Sequence, residues 1–160
     1  MTAAADPTPS FTLQIERTLA APRAAIWRCW TEPALLRQWY CPRPWGVSQA
    51  EIDLRPGGRF FVRMQGPQGE EVAVPGVYLA VEPSHRLVFT DAFERAWQPA
   101  ARAFMVGEVQ MDDAPGGHTR YVARAHHWSA KDRDEHAAMG FEAGWHAAAD
   151  QLEELARSLG

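Results

Sequence analysis

Polar and apolar residues first alternate over residues 11–19. Phe11, Leu13, Ile15 and Arg17 fall on one face and Thr12, Gln14, Glu16 and Thr18 on the other, the period-two pattern of a half-buried strand. Pro22 marks its exit and suits the first turn of a short helix to about Trp30, with Ile26, Trp27, Cys29 and Trp30 on the apolar side. Thr31, Glu32 and Pro33 restart the chain for a second short helix over residues 34–39. Residues 41–46, with Pro42, Pro44 and Gly46, form a stiff loop carrying Trp45. Strand patterns follow at 47–54, 59–65, 72–81, from Leu87 toward Phe93, at 104–111 and at 118–128. The turns between them are rich in Gly, Pro and Asp, and Pro75-Gly76 inside the third implies an edge position or a bulge. Residues 94–101 read as a longer loop at the rim.

The period lengthens in the last run. Ala138, Phe141, Trp145, Ala148, Leu152, Leu155 and Leu159 recur every three or four residues, which predicts one amphipathic helix over residues 131–159 with Ser129 as its N-cap. Its large apolar members lie in the first half and its small and aliphatic ones in the second, so a cavity wall is expected first and solid core after it. Seven strands joined by tight turns and segregated helices specify an α+β fold. The expected architecture is a curved antiparallel sheet that wraps the long helix, with two short helices after the first strand. Space is expected where the short helices and loops cap one end. Trp39, Trp45, Tyr78, Phe89, Phe93, Phe104, Trp128, Met139 and Trp145 are the candidate lining and ligand-binding residues.

Composition narrows the class. A chain of 160 residues suits one domain, expected over 11–160 after a frayed tail at 1–10. A formal net charge of -4 with scattered Arg gives no footprint for nucleic acid. Without a long apolar run or a leader-like N-terminus, the expectation is a cytoplasmic protein with no membrane partner. Cys29 and Cys41 lack any zinc-type spacing and are expected as reduced thiols. No metal or cofactor is expected.

Candidate chemistry is sparse. His126 and His127 are adjacent, so a strand would send one to the cavity and the other to solvent, and they cannot grip one metal together. An inward His beside Asp91 or Glu94 would offer a general acid or base. Asp91 itself follows an apolar strand and is expected to meet Arg63 or Arg124. Arg59, Arg63, Arg120 and Arg124 are expected on a solvated convex face, while an inward Arg would favour an anionic head group. Residues 55–58 make a hairpin turn and not a phosphate loop, having neither Lys nor a following helix.

Several stretches carry a family resemblance: Ala21-Pro22 through Ile26-Trp27, Thr31-Glu32-Pro33, Leu35-Leu36 with Trp39 and Pro42, Asp53-Leu54-Arg55-Pro56-Gly57-Gly58-Arg59-Phe60, and Gly76 with Tyr78. Arg86-Leu87-Val88-Phe89-Thr90-Asp91, Gly117 to Arg120, and Met139-Gly140 with Gly144-Trp145 and Leu152 continue it. In order, they resemble the family named for the activator of the heat-shock protein 90 ATPase, within the START/polyketide-cyclase (SRPBCC) superfamily, over about residues 11–155. The resemblance implies a helix-grip fold, also called START or Bet v-like, with a hydrophobic cavity between sheet and long helix. It carries over no catalytic motif. The expected function is binding of a small hydrophobic or aromatic molecule. The alternatives are a cyclase or dehydratase using an inward His with a carboxylate, and a chaperone ATPase co-regulator. The chaperone role is disfavoured because chaperone-activating members carry a companion N-terminal domain. A homodimer is left open. The pattern departs from the family at Tyr40-Cys41, where a second Trp and a Gly are common and the pocket mouth would narrow, and at Glu94 to Trp97, which would gate it.

Overall fold

The structure, a computed structural model, describes residues 10–159. The expected tail at 1–10 therefore lies outside the described residues apart from Ser10. In chain order the elements are β1 (Thr12–Leu19), α1 (Arg23–Thr31), α2 (Pro33–Leu36), β2 (Gly46–Ile52), β3 (Phe60–Gln65), β4 (Glu71–Val74), β5 (Val77–Glu82) and β6 (Arg86–Thr90). They continue with β7 (Phe93–Arg95), β8 (Gln98–Pro99), β9 (Val106–Ala114), a 3-10 turn, β10 (His118–His126), α3 (Ala130–Ala138) and α4 (Phe141–Leu159).

Every strand pairing is antiparallel. Five strands run in the order β1-β10-β9-β6-β5, and three in the order β2-β3-β4. A bridge between Arg59 and Val77 joins the two groups, with Phe60 N–H donating to Gly76 C=O at 2.9 Å and Tyr78 N–H to Gly58 C=O at 2.9 Å. The wall is thus one curved surface, and α4 lies in its concavity. The fold is α+β, of the helix-grip type. Arg17 of β1 ties α4 down, pairing with Asp150 at 2.6 Å and donating to the His146 carbonyl at 2.9 Å.

Two predicted elements are divided in the structure. The strand expected over 72–81 is two strands, and Pro75-Gly76 is where the chain passes from β4 in one group to β5 in the other. A Cβ on Gly76 would stand 2.6 Å from the Thr90 carbonyl oxygen, so the crossing needs glycine. The helix expected over 131–159 is likewise two. Gly140 sits at φ +94°, the left-handed conformation that closes a helix, and its N–H reaches the Ala137 carbonyl at 3.1 Å. Ser129 caps the first of them as expected, accepting from Asp132 N–H at 3.1 Å. The break turns the face of α3, so that Ala138 is exposed and His136 is buried in its place.

Smaller corrections follow the same physics. The second short helix stops at Leu36, four residues long, and the rest of the expected span to Trp39 is turn. The expected rim loop folds into the β7–β8 hairpin, with Trp97 against Phe93 at 5.6 Å between ring centres. Core occupies the end of the grip away from that hairpin, where Leu19, Ile26, Leu36, Leu87, Met111 and Leu152 are fully buried.

Candidate functional site

Between the sheet and the N-terminal half of α4 lies a cavity of about 370 Å³, within the range that holds a small organic molecule. Two arcs of aromatic rings wall it. One runs from the short helices onto the sheet: Trp30 and Trp39 meet edge to face at 4.8 Å, Tyr40 lies 6.1 Å from Phe60, and Phe60 lies 5.0 Å from Phe89. The other runs along the helices, with Phe104 and His136 at 4.6 Å and Phe141 and Trp145 at 4.4 Å. Inward-facing strand positions supply Ile15, Val62, Met64, Tyr121 and Ala123 between the arcs. Phe104 and Met139 are exposed as well as lining, and mark the mouth.

The indole N–H groups nearest the floor are already satisfied, so the rings turn apolar surface to the space. Trp39 Nε1 donates to the Cys29 carbonyl at 2.9 Å and Trp30 Nε1 to the Tyr121 hydroxyl at 3.2 Å. Gln151 of α4 fixes the loop beneath, donating to the carbonyls of Trp39 at 3.0 Å and Cys41 at 2.8 Å while its own carbonyl accepts from Arg43 N–H at 3.0 Å.

The sequence-derived candidates separate cleanly. Trp39, Phe89, Phe104, Met139 and Trp145 border the cavity. Tyr78 does not; it is fully buried behind Phe60, stacked on it at 5.1 Å. Trp45 packs at the edge of the core near Gly66, Phe93 belongs to the β7–β8 hairpin, and Trp128 is exposed. Lining residues outside the ligand-binding candidates include Trp30, Tyr40, Phe60, His136 and Phe141, the last within the half of the helix expected as cavity wall. Trp30 and Phe141 lay on predicted apolar faces. Tyr40 had been marked only by its departure from the family pattern.

The histidines fall on opposite sides of the sheet. His126 faces outward, bonded through Nε2 to Glu108 at 3.0 Å and through Nδ1 to Thr12 at 2.8 Å. Arg86 and Arg124 complete that outer cluster around Glu108, and together with the Asp112 and Glu16 partners of Arg120 they form the charged convex face. His127 is inward and buried but does not border the cavity; it bonds the Phe11 carbonyl through Nδ1 at 2.8 Å and His136 through Nε2 at 2.8 Å. The imidazole at the cavity is therefore His136. Burial, with His127 adding to it, lowers its pKa to about 4, so the ring is neutral near neutral pH.

Asp91 borders the cavity without an arginine. Its Oδ1 accepts from the N–H groups of Phe104 at 2.9 Å and Met105 at 3.2 Å, which replaces the expected pairing with Arg63 or Arg124. Arg63 instead lies over the outer face of Phe61 at 5.5 Å. Burial above all, then Cys41 and Asp91, raises the Tyr40 hydroxyl well above the usual phenol range, and burial pushes the Cys41 thiol up to about 11. Cys29 and Cys41 are both free and buried. Among the described residues no Lys or Arg borders the cavity. Among the described residues no cluster of three or more His, Cys, Asp or Glu forms a metal-type site, and no helix is long and apolar enough to cross a membrane.

Residues 20–157 match the family described as activator of Hsp90 ATPase homolog 1-like protein. The chain belongs to this family. Among solved structures, a protein of Nitrosomonas europaea is 39% identical, with 92% of this chain and 94% of that one covered and a TM-score of 0.88. One of Mycobacterium smegmatis is 27% identical over 92% and 95%, with a TM-score of 0.75. The AHSA1-like protein of Aeromonas hydrophila shares the fold at 21% identity, 93% and 94% coverage and a TM-score of 0.71. No match was found among curated proteins.

Proposed function

We propose that this protein binds a small, largely apolar, planar-ring molecule in the cavity between the sheet and α4, presenting or sequestering it. The supporting observation is the space itself: about 370 Å³ walled by aromatic rings, with the indole N–H groups of Trp30 and Trp39 satisfied elsewhere. A folded domain gains nothing from such a void, because its lining forfeits packing contacts that a guest would restore. The absence of Lys or Arg from the lining argues against a carboxylate or phosphate head group. Thermal-shift screening of aromatic hydrocarbons, phenols and fatty acids tests this, since a ligand that binds only the folded state raises the melting temperature. Stabilisation by ring compounds and not by fatty acids is expected. No stabilisation by any member of the panel would remove the proposal.

A cyclase or dehydratase has one observation in its favour, that an imidazole and a carboxyl group, His136 and Asp91, border the same space. Such an enzyme would work through His136, because His126 is on the outer face. Turnover of a ring-forming substrate that survived His136→Phe and Asp91→Asn together would eliminate it.

A further inference from the structure

Three groups are strung together across the end of the sheet: the Phe11 carbonyl, His127 and His136. A carbonyl oxygen only accepts hydrogen bonds, so the 2.8 Å contact from Phe11 to His127 Nδ1 requires the proton on Nδ1. In neutral His127 the other nitrogen, Nε2, then carries the lone pair. Its 2.8 Å partner, His136 Nδ1, must be the donor. That leaves His136, as a neutral imidazole, with a lone pair on Nε2, on the side of the ring away from His127. His136 is 7% exposed, borders the cavity, and its Nε2 has no hydrogen-bond partner among the described residues. The backbone at residue 11 thus sets the polarity of an atom at the cavity through two imidazoles.

We infer that the cavity takes a neutral aromatic alcohol, a phenol-like ring whose hydroxyl donates to His136 Nε2 while the ring lies between Phe104 and the aromatic arc on the sheet. This rests on the cavity being a binding site and specifies what it binds. The other polar groups fit the same choice: Asp91 adds carboxyl oxygen, with Oδ1 already engaged by backbone N–H groups and Oδ2 without a partner among the described residues. The lining also carries the hydroxyls of Tyr40 and Tyr121 and the indole N–H of Trp145 but, among the described residues, no Lys or Arg, so a neutral hydroxyl that both donates and accepts is matched and an anion is not. An aliphatic alcohol would match the nitrogen but would leave the aromatic walls without a flat partner.

The test compares 2-naphthol, 2-methoxynaphthalene, naphthalene and 2-naphthoate by tryptophan fluorescence titration of the wild-type protein and the His136→Phe variant, which keeps a ring and removes the acceptor. Wild type is expected to bind 2-naphthol about 10-fold more tightly than its methyl ether or naphthalene, and 2-naphthoate most weakly. In His136→Phe the preference disappears while naphthalene still binds. Nitrogen-15 NMR of the free wild-type protein reads the tautomer directly and serves even if the variant does not fold; His136 Nε2 is expected unprotonated and shifts when 2-naphthol is added. Equal binding of naphthol and its methyl ether, a preference that survives the substitution, or a protonated Nε2 in the free protein overturns the inference and leaves the cavity as a site for apolar rings. Failure of all four to bind wild type overturns both.

Discussion

The two halves of α4 belong to one helix and meet different surroundings. In the C-terminal half Leu152 and Ala156 are fully buried where the helix packs on β1 and α1, and the helix is indistinguishable from core. In the N-terminal half Phe141, Gly144, Trp145 and Ala148 face open space. Helix propensity does not account for the difference, since both halves are regular helix. What differs is the opposite wall: α1 and β1 close on the helix at one end, whereas broad rings on Tyr40, Phe60 and Phe89 stand against one another at the other. A rigid ring cannot fold into a gap as a Leu or Met can, so a wall of rings preserves a vacancy that aliphatic residues would fill.

The sharpest way to break the comparison is at Leu152. Leu152→Ala should cost about 3 kcal/mol in urea unfolding, because a new void opens inside dense packing. Naphthalene affinity should be nearly unchanged. Equal losses of affinity and stability would mean that the two halves act as one unit.

Acid separates the ends next. His136 has a folded pKa of about 4 against about 6.5 when unfolded, so between those values the unfolded chain binds more protons. Stability contributed by its neutral form is complete above about pH 6.5 and is lost as the pH falls toward 4. A decline on the order of 2 kcal/mol across that window is expected from denaturation curves in wild type, and a clearly shallower one over the same window in His136→Phe, where the carboxylates still respond.

Filling the vacancy reverses the logic of Leu152. Ala148→Leu should weaken naphthalene binding by about 10-fold while changing stability by less than about 1 kcal/mol, since the added carbons occupy space that already exists. The smallest effect belongs to Gly144. A Cβ there meets nothing within 4 Å and the backbone is ordinary helix, so Gly144→Ala should stabilise the protein by roughly 0.5–1 kcal/mol. A destabilisation in urea would show that the open side of α4 is closed in solution.

Legibility in the chain followed the range of the interaction. Alternation along β1 and β10, the hairpin chemistry of residues 55–58 and the apolar stripe of α4 depend on neighbours in sequence, and the α+β grip was readable from them. The divisions at Pro75-Gly76 and Gly140 were half visible: both glycines stood in the sequence, but only the approach of Thr90 and the left-handed turn at residue 140 show that each ends an element. The cavity was less legible still. Tyr78 and Phe89 are opposite each other in register, yet Phe89 lines the space and Tyr78 is sealed behind Phe60, a distinction that depends on which ring the third strand lays between them.

The amino-acid order by itself determined the sequence of strands and helices, the charged outer face and the supply of aromatic surface, since these follow from local geometry and from where water must be excluded. Tertiary structure alone decided which rings surround the vacancy and which histidine reaches it. His127 carries the inward parity that alternation assigns, but its two nitrogens are taken by Phe11 and His136, residues 116 and 9 positions away. Hydrogen-bond saturation across such distances is a property of the folded chain, and it is what moves the free lone pair to α3.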